Sequence, residues 1–127
     1  MFSIENKIYY HDTDAGGVVY YASYLKHLEE SRSEYCMSKG VDFVKYAAHG
    51  IVFPVVHLEI DYKKPARLGD KVKIFTKITE IGKCSIHYSQ QIERDGAVLL
   101  SCNIVTACVD REMRPKAIPD EIKKALS

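Results

Sequence analysis

From Ile51 to Val109 the apolar residues of this chain recur at every second position through successive runs, while only one earlier stretch holds a helical period over several turns. That contrast limits the fold more than any other feature. Side chains alternate across a strand but return to one face of a helix every three to four residues. Val52, Val56, Leu58, Ile60 and Tyr62 alternate with His57, Glu59 and Asp61 until Pro65 interrupts. Lys71–Ile81 repeats the pattern with Val72, Ile74, Thr76 and Ile78. Cys84, Ile86, Tyr88, Gln90 and Ile92 repeat it again and end at Arg94-Asp95-Gly96, a hairpin signal. Ala97–Val109 is apolar on both faces, which predicts a central strand covered on each side.

Before these runs, Tyr21, Tyr24, Leu25, Leu28, Tyr35 and Cys36 fall at spacings of three, four and seven, which predicts one long helix. Tyr21, Ala22 or Ser23 could begin it, and Gly40 suits the position just past its end. A short helix is expected over Asp42–Ala48, a first strand over Phe2–His11 and a terminal helical turn or two over Pro119–Leu126. The order is strand, long helix, short helix, then four strands in meander order. This predicts an α+β domain over residues 1–127, with an antiparallel sheet packed on a single long helix. Such a sheet has unpaired edges and an incompletely covered face. A homodimer that extends the sheet would bury both.

Composition narrows the function classes. The 18 basic and 17 acidic side chains leave a net charge of +1, which argues against a nucleic-acid binder that relies on a whole-surface basic field. No apolar run is long enough for a signal peptide or a membrane span, so a cytoplasmic protein is the expectation. The four cysteines lack CxxC spacing, and Cys84, Cys102 and Cys108 read as reduced core residues.

The stretch with the most chemistry is "DTDAGGVVYYASYL", residues 12 to 25. Aspartates commonly precede helices as caps. Asp14, however, is separated from the helix by Ala15-Gly16-Gly17-Val18-Val19, too far for a cap. The glycine pair allows a close backbone approach that a cap does not require. Backbone N–H groups near Tyr21 lack intrahelical partners and lie at the positive end of the helix dipole. A thioester carbonyl placed there would be polarised, and Asp14 on the preceding loop could attack it or activate a water. Carboxylate plus helix N-terminus suffices for acyl transfer with no metal or cofactor.

That segment, together with "IVFPVVHLEIDYKKPARLGDKVKI", resembles the hotdog-fold thioesterases of the 4-hydroxybenzoyl-CoA thioesterase type. It is most similar to the YbgC-like acyl-CoA thioesterases associated with the Tol–Pal system, and the resemblance covers nearly the whole chain. It implies a hotdog fold, in which an antiparallel sheet wraps one long central α-helix. It also implies dimers or dimers of dimers with active sites at the dimer interface. By the same resemblance Asp14 matches the catalytic aspartate and the Tyr21 backbone N–H the oxyanion donor, with Gly16, Gly17 and Val18 beside the substrate. Many YbgC-like members carry histidine in place of Tyr21, in a "VYHAxY" pattern; here the run is "VYYASY". His11 is a candidate partial substitute for that missing side chain.

Two basic clusters compete for the phosphates of coenzyme A: Lys63, Lys64 and Arg67, or Arg111, Arg114 and Lys116. Glu29 is the runner-up base, although an ion pair with Arg32 is the more ordinary role for it. Tyr9, Tyr10, Tyr20, Tyr24 and Tyr35 read as core or interface aromatics, and Ile51–Val56 as core or as the lining of an acyl tunnel. The expected function is hydrolysis of an acyl-CoA thioester, with an acyl carrier protein as a further candidate partner. The competing readings are a non-catalytic binding domain and a hydratase or dehydratase of acyl thioesters. The latter would need a well-placed histidine–carboxylate pair.

Overall fold

The long helix and a five-stranded antiparallel sheet, in the order β1-β3-β4-β5-β2, are the two layers of a computed structural model that describes residues 1–127. The elements in chain order are β1 (Ser3–Lys7), α1 (Tyr24–Ser38), α2 (Phe43–Ala48), β2 (Val55–Tyr62), β3 (Lys71–Ile81), β4 (Ser85–Arg94), β5 (Ala97–Ala107) and α3 (Asp120–Leu126). This is the expected hotdog arrangement, in which α1 lies against the inner face of the sheet.

Only β3, β4 and β5 form a meander. The fourth strand of the expected meander, β2, pairs instead with β5 at one edge, while β1 pairs with β3 at the other. Alternating hydropathy identifies a strand but carries no information about its neighbour. Chain order is therefore an unsafe guide where a connection crosses the sheet.

Where local chemistry is strong, the elements stand where it puts them. Asp42 caps α2 by accepting from the Val44 N–H at 3.0 Å. Asp95 and Gly96, at φ 51° and 82°, form the two-residue turn between β4 and β5, which needs positive φ at both positions. The first strand is shorter than Phe2–His11, because the chain leaves the sheet after Lys7 and makes a 3₁₀ turn at Tyr10–Asp12. The strand expected from Val52 begins at Val55, and Val52 makes only an isolated bridge to Val109.

The main core joins Tyr24 and Leu28 of α1 to Val72, Ile74, Ile92, Leu99, Leu100 and Ile104 of the sheet, and a second cluster gathers Cys36, Ile86, Tyr88, Ile118 and Ile122. Cys36, Cys102 and Cys108 are buried free thiols, whereas Cys84 is half-buried in the β3–β4 turn rather than on a strand. Burial pushes the Cys102 thiol up to about 11.

The face of α1 turned to the sheet is not wholly apolar: His27, Ser31 and Arg32 are buried on it. Ser31 Oγ lies 2.6 Å from Thr76 Oγ1, Gln90 Nε2 donates to Thr76 Oγ1 and to the Leu28 carbonyl, and Arg32 donates to Gln90 Oε1 at 3.0 Å. Thr76 and Gln90 occupy inward positions of β3 and β4 that would otherwise hold aliphatic residues. This polar seam fixes the helix against the sheet in one register.

Candidate active site

The loop ahead of α1 is a small hairpin. The Tyr20 N–H donates to the Asp12 carbonyl at 2.9 Å, the Asp14 N–H donates to the Val18 carbonyl at 2.9 Å, and Thr13 bridges Val19. Its tip turns at Ala15-Gly16-Gly17, with Gly17 at φ 76°. The hairpin is pinned to the β2–β3 connection by Val19 N–H to Ala66 carbonyl at 2.8 Å, Leu68 N–H to Gly17 carbonyl at 3.3 Å and a bridge between Val18 and Arg67. Tyr24, in the first turn of α1, accepts the Ala66 N–H on its hydroxyl at 2.9 Å. Loop, helix start and β2–β3 connection are thereby held together.

The two aspartates of the hairpin have opposite environments. Asp12 is buried: Oδ2 accepts the Tyr9 N–H at 3.0 Å, and Oδ1 lies 3.0 Å from His27 Nε2. The Asn6 amide faces His27 Nδ1 at 2.9 Å, so Nδ1 accepts and the Nε2–H donates to Asp12. Asp12 is therefore an anchor that closes a 3₁₀ turn. Asp14 is exposed, and its Oδ1 accepts only the Gly16 N–H, at 2.8 Å. A Cβ added at Gly16 would sit 3.2 Å from that oxygen, so glycine there leaves room around the carboxylate. A carboxylate steadied at one oxygen and open at the other can take a proton from water or attack an acyl carbon.

Tyr21 does not begin the α-helix. It opens a 3₁₀ turn, Tyr21–Ser23, that runs into α1 at Tyr24. Ser23 precedes α1 without making a side-chain cap bond. The Tyr21 and Ala22 N–H groups donate to no acceptor within the protein, as expected of donors in a first turn. The Tyr21 side chain is exposed, 4.7 Å from the Tyr20 ring between centroids, and its carbonyl accepts the Tyr62 hydroxyl at 3.1 Å.

Beside this turn lies a groove of about 270 Å³, lined by Val19, Tyr21, Tyr24, Tyr62, Lys63, Lys64 and Pro65. Lys63 and Lys64 have no carboxylate partner, whereas Arg114 is engaged by Asp110 and Glu112, and Arg111 donates to the Ala48 carbonyl. Lys116 of the second cluster is also free of a carboxylate, so what distinguishes the first cluster is that Lys63 and Lys64 adjoin the Tyr21 turn. Arg67 touches the site through its backbone: its N–H donates to Asp70 Oδ2 at 2.8 Å. Burial by itself would raise the Asp70 carboxyl, but that N–H and the Arg94 guanidinium, 2.6 Å away, hold it below the usual carboxylate range.

Other candidates are placed elsewhere. His11 has an exposed side chain on the 3₁₀ turn, with Nδ1 3.6 Å from Asp12 Oδ1 rather than in the groove. The Glu29–Arg32 ion pair does not form: Glu29 accepts the Ser33 hydroxyl at 2.9 Å, and Arg32 turns inward to Gln90. Burial lowers the Arg32 guanidinium from its ordinary value. Tyr9, Tyr10 and Tyr20 are exposed on this chain rather than in its core, while Tyr24 is buried. No three His, Cys, Asp or Glu side chains are grouped to hold a metal ion. Sequence reasoning missed the buried His27–Asp12 pair and the Arg32–Gln90–Thr76–Ser31 seam. The available signal was polar residues at apolar phase: Ser31 and Arg32 within the helix stripe, and Thr76 and Gln90 within their strands.

Comparison with known proteins supplies an independent line. Residues 9–126 match the thioesterase-like superfamily. The acyl-CoA thioesterase YbgC of Haemophilus influenzae is 37% identical over 98% of this chain and 93% of its own length. The acyl-CoA thioester hydrolase YbgC of Escherichia coli is 36% identical over 91% of this chain and 88% of its own. A hypothetical protein of Thermus thermophilus, solved by crystallography, superposes with a TM-score of 0.92 at 30% identity, covering 98% of this chain and 95% of that one.

Proposed function

The chain belongs to the thioesterase-like superfamily, and from that membership and the geometry of the hairpin we infer that it is an acyl-CoA thioester hydrolase releasing a free acid and coenzyme A. One observation carries the residue assignment: an exposed Asp14 carboxylate stands on a loop fastened to a helix start whose Tyr21 N–H has no partner. In this reading the thioester oxygen accepts the Tyr21 N–H, and negative charge developing on it is stabilised by the end of the helix dipole. Asp14 removes a proton from the attacking water or attacks the carbonyl carbon itself. Gly16, Gly17 and Val18 keep the loop close to the substrate, and Lys64, with Lys63, meets the coenzyme A phosphates. Arg67 contributes by holding the loop base through Asp70. No metal or other cofactor enters these steps.

Tyr21 in place of the histidine of many YbgC-like sequences leaves the backbone donor in position. Its ring, tilted against that of Tyr20, forms a wall of the groove rather than a proton-transfer group. The exposed apolar edge strand β2 supports a homodimer that joins two sheets, with a dimer of dimers as the larger form. A cytoplasmic location, an acyl carrier protein partner and a Tol–Pal association complete the reading. No helix is long and apolar enough to cross a membrane.

The test is thiol release from short, long and aromatic acyl-CoAs by the purified protein. Turnover on at least one class is expected. Label in the Asp14 carboxylate after a single turnover in ¹⁸O-water would establish a covalent anhydride opened at its aspartyl carbon, whereas label only in the released acid follows from direct water attack or from an anhydride opened at its acyl carbon. Absence of turnover across the panel would refute the reading.

A further inference from the structure

Tyr62, the last residue of β2, lines the groove beside the Tyr21 turn. Its backbone is fixed from β5: it pairs with Leu100, and the Lys63 and Lys64 N–H groups that follow both donate to the Leu99 carbonyl, at 2.8 and 3.1 Å. Its ring stands 5.7 Å from that of Tyr24 between centroids, tilted by 48°, so α1 sets its placement as well. From there the hydroxyl donates to the Tyr21 carbonyl at 3.1 Å, joining residues 41 positions apart. Partial burial, followed by the neighbouring Tyr24 and Tyr21 hydroxyls and the Cys102 thiol, pushes the Tyr62 hydroxyl up from its ordinary value, so it stays a protonated donor at neutral pH.

The Tyr21 carbonyl shares a planar, trans peptide unit with the Ala22 N–H, and the two point in opposite directions. A donor fixed on the carbonyl therefore fixes the direction of that N–H. Like the Tyr21 N–H, the Ala22 N–H has no acceptor within the protein, whereas the next one along, of Ser23, donates to the Tyr20 carbonyl at 2.8 Å. Two adjacent free N–H groups thus open the turn, and helical geometry points both back toward its N-terminal side, where the hairpin bearing Asp14 enters. The peptide that carries the Tyr21 N–H is held by the turn itself, through Tyr20 and Ser23. The peptide that carries the Ala22 N–H is held from outside the turn, by Tyr62. A hydrogen bond accepted by a carbonyl also polarises its own peptide and strengthens the N–H as a donor.

We propose that Tyr62 is a positioning residue: its hydroxyl, acting through the Tyr21 carbonyl, orients the Ala22 N–H as a second donor to the thioester oxygen beside the Tyr21 N–H. The inference rests on the hydrolase reading of this site and adds a residue to it. Tyr62 itself touches no reacting atom. Negative charge on the oxygen grows as the carbonyl carbon is attacked, so a second donor contributes most at that point and little to binding of the unreacted thioester. The effect of Tyr62 therefore falls on kcat rather than on KM.

Tyr62→Phe tests this, because it keeps the ring against Tyr24 and removes only the hydroxyl. With the best acyl-CoA substrate, kcat should fall about three- to tenfold, the worth of one ordinary hydrogen bond. KM, melting temperature and sedimentation should stay at their wild-type values. In ¹H–¹⁵N spectra of the substrate-free proteins, the Ala22 amide proton should move upfield in Tyr62→Phe as its peptide loses polarisation. The Asp14 amide, bonded to the Val18 carbonyl, should not move. An unchanged kcat, a loss expressed in KM, or an unmoved Ala22 amide would overturn the proposal. A fall in kcat accompanied by a lower melting temperature, dissociation or a displaced Asp14 amide would also overturn it, since Tyr62 would then act on the fold. Wild type without turnover would remove the hydrolase reading and this inference with it. Turnover that is lost in Asp14→Asn but unaltered in Tyr62→Phe would leave the hydrolase reading standing and remove this inference alone.

Discussion

Asp12 and Asp14 stand two positions apart in the hairpin, and the contrast between them separates stability from chemistry. Asp12 is the sole acceptor for the Tyr9 N–H and the partner of buried His27. Its replacement by Ala should lower unfolding free energy by about 2–3 kcal/mol, because a buried donor loses its acceptor; urea titration checks this. Asp14→Asn should leave stability within about 0.5 kcal/mol, as an exposed surface change does. Asp70 adds a pH signature. Its carboxyl is held below the ordinary range in the folded protein, so it stabilises the fold above the unfolded value of about 3.9. That contribution disappears as pH falls from about 3.9 through the lower folded value. Wild type should therefore lose melting temperature over that window more steeply than Asp70→Asn. Asp14 was legible in the sequence as a candidate, but the role of Asp12 as an anchor was not. It depends on His27 and Tyr9, which reach Asp12 only after α1 folds back on the sheet.

At the scale of elements, legibility followed local chemistry. Asp42 as a cap, Asp95-Gly96 as a hairpin turn and Gly40 at positive φ past α1 are dictated by neighbours in sequence, and each stands where the residues put it. The position of β2 beside β5 and the polar seam under α1 depend on contacts between residues far apart in the chain, which no period records. The hairpin tip combines a positive-φ glycine with the loop that carries the proposed Asp14 base. Gly17 has φ 76° with open space around its Cα, so Gly17→Ala suffers from backbone conformation rather than from a clash. It should cost about 1 kcal/mol, and hydrolysis should fall further than stability as the Asp14 loop is displaced. Comparing kcat/KM with the urea midpoint for this variant checks both parts.

For the whole molecule, the unanswered demand is at β2. Val55, Val56 and Leu58 are exposed on an edge strand with one free side, and Tyr9, Tyr10, Tyr20 and Tyr21 are exposed on the same chain. An apolar edge of this kind invites pairing with an identical strand. Sedimentation should give a dimer or a larger even assembly, and Val56→Lys with Leu58→Lys should shift it toward monomer. A homodimer was expected from the sequence because an antiparallel sheet with one helix has too little cover. Which edge would carry it could not be read, since that follows from the strand order. The central claim concerns Asp14 at the start of α1, and the most direct measurement is kcat/KM for the best acyl-CoA substrate in wild type and Asp14→Asn. A loss of about 10²–10⁴-fold, with sedimentation and melting unchanged, is the predicted result. Equal activity in the two proteins would contradict the account and remove Asp14 from the reaction.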